Sequence, residues 1–138
     1  MLFSNLGRVY RVKAYEIPEG SRTSKGMNII NVVPLMPDEK ITVILPVTKT
    51  DEEEKHICMV TKNGIIKRTK LSDFKNTRKS GIIAISLEEN DRLNWVKLAN
   101  PNDEIIIGTS CGMAIRFPIE DLRPLGRSAR GVNSMKLR

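Results

Sequence analysis

The nonapeptide Thr61-Lys62-Asn63-Gly64-Ile65-Ile66-Lys67-Arg68-Thr69 decides the fold. Asn63-Gly64 sits between the β-branched stretches 57–61 and 65–69, and such a pair between two apolar runs signals a hairpin. Leu6-Gly7 and Cys111-Gly112 occupy equivalent places in two further stretches. Four residues after each glycine stand Arg11, Arg68 and Arg116, and ten residues after stand Ile17, Phe74 and Leu122. A second glycine closes each unit at Gly26, Gly81 and Gly131, with Lys25, Lys79 and Arg130 shortly before it. The period is 57 and then 48 residues, the spacing of a blade or solenoid repeat.

The remaining apolar runs, 41–45, 57–60, 82–85 and 105–107, are short and β-branched, hence strands. Stretches 15–18, 71–74 and 119–122 are too short for packed helices and read as linkers or single turns. The acidic run 51–54 reads as an exposed loop. Each unit then offers about four strands: a hairpin, a crossing linker, a glycine-marked turn and a further strand pair. Four short antiparallel strands per repeat is the arithmetic of a propeller blade. The expected fold is all-β, a propeller-like array of four-stranded antiparallel blades with repeats at 1–51, 52–100 and 101–138, the third incomplete. Propellers close with more blades than this, so the chain reads as an arc of a larger ring. Its unpaired terminal strands predict self-association.

The 138 residues carry 23 Lys and Arg against 16 Asp and Glu, a net charge of +7. That balance points to a polyanionic partner. Aromatics are only 4%, too few for the stacking platforms of single-strand readers. The charge is also segregated by phase. Stretches 7–26, 64–81 and 112–131 hold 15 bases and 5 acids, whereas 27–63 and 82–111 hold 6 bases and 11 acids. In a radial array one phase of the repeat falls on one part of the rim, so these bases form a band. The predicted phosphate-contacting residues are Arg11, Arg68 and Arg116 on the hairpins, and Arg22, Lys25, Arg78, Lys79, Arg127 and Arg130 beside the second glycines. Tight glycine turns let a phosphate approach backbone N–H groups while flanking cations neutralise it.

Nothing in the sequence reads as a catalytic site: the phosphate-cradling GxxxxGK[ST] and HExxH are both missing. His56 is the only histidine and reads as a strand-end residue; Tyr10 has no acidic cluster beside it and reads as packing. Cys58 and Cys111 lack the spacing of a metal site or a disulfide framework and read as reduced, buried apolar residues, as in a cytoplasmic protein. No apolar run approaches the roughly 18 residues of a membrane span.

Gly7-Arg8-Val9-Tyr10-Arg11-Val12-Lys13, then Tyr15-Glu16-Ile17-Pro18, Ser21-Arg22-Thr23-Ser24-Lys25-Gly26 and Ile30-Asn31-Val32-Val33-Pro34-Leu35, resemble the C-terminal domain of the DNA gyrase A subunit. Glu39-Lys40-Ile41-Thr42 and Leu45-Pro46-Val47 continue the likeness, and Thr61 to Thr69 resembles that domain's following blade. The resemblance runs the whole length. It implies a six-bladed β-pinwheel whose basic rim wraps double-stranded DNA in support of ATP-dependent negative supercoiling, inside a bacterial type IIA topoisomerase. It further implies partnership with the rest of the gyrase A subunit and with the gyrase B subunit, and no cofactor in this segment, ATP and magnesium being used elsewhere in the enzyme. The family's heptapeptide Gln-Arg-Arg-Gly-Gly-Lys-Gly is absent, with looser relatives at 21–26, 77–81 and 126–131. The equivalent domain of the topoisomerase IV subunit, or a propeller-like protein-interaction scaffold, are the alternatives.

Overall fold

The computed structural model describes residues 1–137 and is built from short antiparallel strands. The first sheet contains β1 (Leu2–Ser4), β2 (Arg8–Tyr10) and β3 (Ile41–Ile44). The second contains β4 (His56–Thr61), β5 (Ile65–Lys70) and β7 (Leu93–Ala99). β8 (Glu104–Gly108) and β9 (Ala114–Pro118) form a third, two-stranded sheet. The fourth strand of each complete sheet comes from further along the chain. β6 (Ile82–Ile83) adds to the first sheet, giving the order β3-β1-β2-β6, and β10 (Val132–Asn133) adds to the second, giving β7-β4-β5-β10. The expectation that each unit supplies its own four strands is thereby corrected. A unit keeps three and lends one, because the strand after its second glycine pairs with the preceding hairpin.

That exchange explains the spacing of the repeat. Val9 pairs with Ile82 and Arg8 with Ile83, while Ile66 pairs with Val132 and Ile65 with Asn133. The register therefore sets Gly81 beside Tyr10 and Gly131 beside Lys67, in each case three residues after the hairpin glycine. The hairpin turns are not the two-residue mirror type. Gly7, Gly64 and Gly112 have φ of 74, 80 and 80°, while Asp38 is the sole non-glycine with positive φ among the described residues. Their N–H groups bond back to Ser4, Thr61 and Thr109, so each turn is a three-residue connection with glycine in the left-handed place.

Alternation along the strands sends side chains to both faces, so the sheets stack. Phe3 and Val9 join Ile57, Met59, Leu71, Phe74, Ile85 and Leu93 in the main core between the first and second sheets. Phe3 and Phe74 meet edge to face with ring centroids 6.4 Å apart. Leu2 and Tyr10 face the other way, onto Val33. Cys58 and Ala99 face Ile119 beneath the third sheet.

The crossing linkers are 3-10 turns at Ala14–Glu16, Leu71–Phe74 and Ile119–Asp121, as expected of single turns. The acidic run is not a loop: Lys49–Glu54 forms the helix α1. Thr48 accepts from the Asp51 N–H at 3.3 Å, and Asp51 accepts from the Thr48 N–H at 2.9 Å, a capping box that nucleates it. Burial of Glu52 on its inner side gives the helix a tertiary role. Cys58 is buried, but Cys111, expected to be so, is exposed in the β8–β9 turn.

Candidate nucleic-acid interface

The basic residues fall into two populations, and their separation builds the site. The first lies on the hairpins and points into the junction with the next repeat. Arg68 is only 8% exposed. Its Nη1 donates to the carbonyls of Ile119 at 3.1 Å and Leu122 at 3.2 Å, gripping the next 3-10 turn, and its Nη2 faces the His56 ring. Arg11, at the same phase one repeat earlier, donates to the carbonyl of Lys75 at 3.2 Å, just past the turn of its own next repeat, and pairs with Glu52 of α1. Arg8 donates to the carbonyls of Ser80 at 3.0 Å and Gly81 at 3.3 Å. Arg116 is exposed and pairs instead with Glu104 on its own hairpin.

The arginine repeated at fixed phase, expected to contact phosphate, is thus an inter-repeat clamp at Arg11 and Arg68. The physical reason lies in the shared strands. A hairpin roofed by the next repeat's loop meets carbonyls of that loop and its turn with lone pairs to spare, and a guanidinium fork can bond two of them. Sequence reasoning saw the recurrence but could not see that the residue lies under a roof.

The second population lies on the three loops that lead to the second glycines, two of which form such a roof. Arg22, Lys25, Arg78, Lys79, Arg127 and Arg130 are all exposed. Lys79 is paired at 3.4 Å with Glu16, and Arg130 at 2.8 Å with Glu88. Arg22, Lys25, Arg78 and Arg127 have no acidic partner among the described residues. In the loop 125–131 the backbone is turned inward. The Leu125 N–H bonds the Arg68 carbonyl at 2.8 Å, and the Ser86 hydroxyl donates to the Ser128 carbonyl at 2.7 Å. The Lys67 ammonium donates to the carbonyls of Arg127 and, at 3.1 Å, Ala129. With its carbonyls facing the sheet, the loop presents its cations outward. The loop 75–81 is held likewise, through Arg8, Arg11 and the ring of Tyr10 under Gly81.

Tyr10 in turn donates to the Glu39 carboxylate at 2.7 Å. Burial opposes ionisation of Glu39, but the Met36 N–H at 2.7 Å, together with Ser4, Tyr10 and Arg8, outweighs it and holds its pKa below the usual value. Burial first, then the Arg68 charge, lowers the pKa of His56. The same burial pushes the Cys58 thiol up to about 11 and leaves it unreactive.

Between the first two repeats lies an open cleft of about 480 Å³ where Lys13, Lys49 and Lys75 join Arg11 and Lys79 around three carboxylates. These lysines were outside the predicted set. Lys49 belongs to the acidic phase by sequence, and α1 brings it there.

The sequence matches the family described as the DNA gyrase C-terminal domain, β-propeller, over residues 1–48, 55–100 and 103–138. The chain belongs to that family. It is 49% identical over 140 residues to the DNA gyrase A subunit of Synechocystis, covering 100% of the chain and 16% of that protein. To the same subunit of Clostridium acetobutylicum it is 48% identical, covering 96% and 16%. The chain therefore spans only about 16% of the length of these curated relatives. In structure it is similar to the C-terminal domain of DNA topoisomerase IV, with TM-score 0.89, 30% identity and coverage of 99% of this chain and 42% of that one. It is also similar to the DNA gyrase A C-terminal domain, with TM-score 0.79, 29% identity and coverage of 99% and 43%. The shape is shared by both enzymes, and sequence identity places the chain with the gyrase A subunit.

Proposed function

We propose that this chain binds duplex DNA without regard to sequence, along the exposed loop cations, and bends it around the arc as a wrapping module of the DNA gyrase A subunit. The observation that carries this reading is the sorting of charge. The hairpin cations Arg8, Arg11, Lys67 and Arg68 are spent on backbone carbonyls, while those of the three loops stand outward, four of them with no acid partner among the described residues. Phosphate contacts of this kind position a duplex and carry no base information. Bending a site of 20–30 base pairs costs on the order of 1–6 kcal/mol, offset by contacts added along the track.

In the whole enzyme such wrapping presents a second duplex segment to the strand-passage gate and biases passage toward negative supercoils. The breakage and ATP-hydrolysis chemistry, with its magnesium, belongs to the rest of the gyrase A subunit and to the gyrase B subunit. A protein-interaction scaffold is less well supported. The exposed apolar residues Ile106 and Met113 lie on the β8–β9 hairpin, and Ile17, Met27 and Ile30 on the undocked first loop, where stacking of repeats stops. Those are the places for a further blade, from the rest of the gyrase A subunit or from a second copy, and not a continuous docking face.

Binding of linear duplexes of unrelated sequence across a salt series tests the reading. The expected result is equal affinity for each sequence and a log–log salt slope of about −0.9 per phosphate contact. Relaxation of closed circular DNA by a topoisomerase I in the presence of the chain is expected to leave a shifted linking number. Affinity that depends on sequence but not on salt would overturn the proposal.

A further inference from the structure

Lys67 is a lysine with no exposed surface, lying mid-strand in β5. Three backbone carbonyls converge on its ammonium: Ala84 at 2.6 Å, Arg127, and Ala129 at 3.1 Å. A buried ammonium is costly unless each of its N–H groups is satisfied, and here three donors meet three acceptors. The partners come from two places. Ala84 follows β6 on the strand lent to the first sheet, while Arg127 and Ala129 belong to the loop roofing the second. Lys67 therefore joins two successive repeats at one point. At the equivalent position of the first repeat stands Tyr10, also without exposed surface, and its ring lies under Gly81. The third repeat has Ile115 there, an exposed residue.

We propose that Lys67 is a positioning residue for DNA: by holding the Arg127 and Ala129 carbonyls inward, it fixes Arg127 and Arg130 on the outer face of the loop. This rests on the proposed reading of the loops as the phosphate track. The arrangement carries a proton dependence of its own. Burial, and then the charge of Arg127, bring the pKa of Lys67 down to about 8, while Asp73 on the 3-10 turn pulls the other way. From the other neighbouring strands, Met59 of β4 stands opposite in the register and Gly131 precedes β10, and neither brings a titratable side chain. A neutral amine still supplies two N–H groups to these carbonyls and no longer carries a buried charge, so with a lowered pKa the docked loop is held more firmly, not less, once the proton leaves.

The experiment compares the wild-type chain with Lys67→Met and with Lys67→Tyr, which installs the residue of the first repeat and serves if the methionine variant does not fold. Amide hydrogen exchange over 125–131 and binding of a mixed-sequence linear duplex are both followed from pH 7 to pH 9.5. In the wild type, opening of the loop, corrected for the intrinsic pH dependence of amide exchange, is expected to become rarer as pH rises through 8, and duplex affinity is expected not to fall. In Lys67→Met, exchange in the loop is expected to be fast throughout, affinity at pH 7 about fivefold lower, and the pH dependence gone, with the salt slope shallower by about one. In Lys67→Tyr the pH dependence is likewise expected to vanish. Unchanged loop exchange, or variants that keep the wild-type affinity and pH profile, would overturn the role of Lys67. Failure of the wild-type chain itself to bind duplex at low salt would instead overturn the DNA reading on which this role depends.

Discussion

The loops 125–131 and 20–26 carry the same alternation of base and glycine, but only the first rests on a sheet. Gly131, with φ of 103°, lies so close to β5 that a β-carbon would stand 2.5 Å from the Ile66 carbonyl oxygen. Gly81, with φ of 80°, lies against the Tyr10 ring, where a β-carbon would again stand at 2.5 Å. Gly26 is not in the left-handed region, and a β-carbon there would meet nothing within 4 Å. The hairpins show the complementary pattern. A β-carbon on Gly7 would strike the Ile85 carbonyl and one on Gly64 would press on Leu137, while Gly112 faces open space. The conformation of the second glycine is thus imposed by docking onto the preceding hairpin and not by the loop's own sequence. The outward display of loop cations where the roof forms follows from the same docking.

The sharpest way to break this comparison is to add one methyl group at each loop. Gly131→Ala and Gly81→Ala are each expected to lower the unfolding free energy by about 3 kcal/mol, from a forced positive φ together with overpacking. Gly26→Ala is expected to change it by less than about 0.5 kcal/mol, the usual size of an effect at an exposed site. Urea unfolding of the three variants checks this, and equal costs at all three glycines would contradict the docking account.

A somewhat smaller contrast concerns the repeated arginine. Arg68→Met removes a buried fork, leaving the Leu122 carbonyl without its donor and the Ile119 carbonyl with the Leu122 N–H alone, an expected loss of about 2 kcal/mol. Arg116→Met, on the open hairpin, is expected to leave the thermal midpoint where it was. If both midpoints moved together, the clamp would not depend on a roof.

Smaller still is the effect of His56. Its folded-state pKa lies below its ordinary 6.5, so the folded state resists the proton that the unfolded chain accepts. The His56 contribution to stability is therefore expected to be constant above about pH 6.5 and to decline as pH falls below it. His56→Gln should flatten that first decline, which thermal melts across pH can resolve. Finally, the two thiols should differ in reactivity: Cys111 is exposed and is expected to react with a thiol reagent in the native state, whereas buried Cys58 waits for unfolding.

Much of the fold was legible because the repeat is written in residues with narrow conformational needs. Gly7, Gly64 and Gly112 mark hairpins that no other residue type would turn as easily, and the β-branched runs at 41–44, 57–60 and 105–107 are strands. What could not be read was which sheet a strand joins. Ile82 and Val132 look alike whether they pair within their own repeat or with the previous hairpin, since strand exchange leaves no trace in propensity. The acidic helix α1 was missed because its signal is a cap, Thr48 with Asp51, and not an apolar period. For the site, the phase of the charge pointed to the loops, whose cations do lie on the surface. It also pointed to Arg11 and Arg68, and there a regular spacing of cations reflected a regular spacing of carbonyls. Lys67 gave no signal of its own, because a lysine in a basic stretch reads as solvated until the loop above it is seen.

The division between clamping and outward-facing cations is tested most directly by a charge-matched pair of triple variants assayed for duplex binding across a salt series. Arg22, Arg78 and Arg127 supply one exposed cation from each loop. Lys40, Lys62 and Lys97 supply three exposed cations away from the roof: beside the edge strand β3, in the β4–β5 turn, and on the edge strand β7. Replacing the first three with alanine is expected to weaken binding of every sequence alike and to flatten the salt slope by about 2.7, at 0.9 per phosphate contact. Replacing the second three is expected to change the slope by less than one such contact. Equal losses from the two triples would mean that DNA senses only net charge, and the loop track would be contradicted.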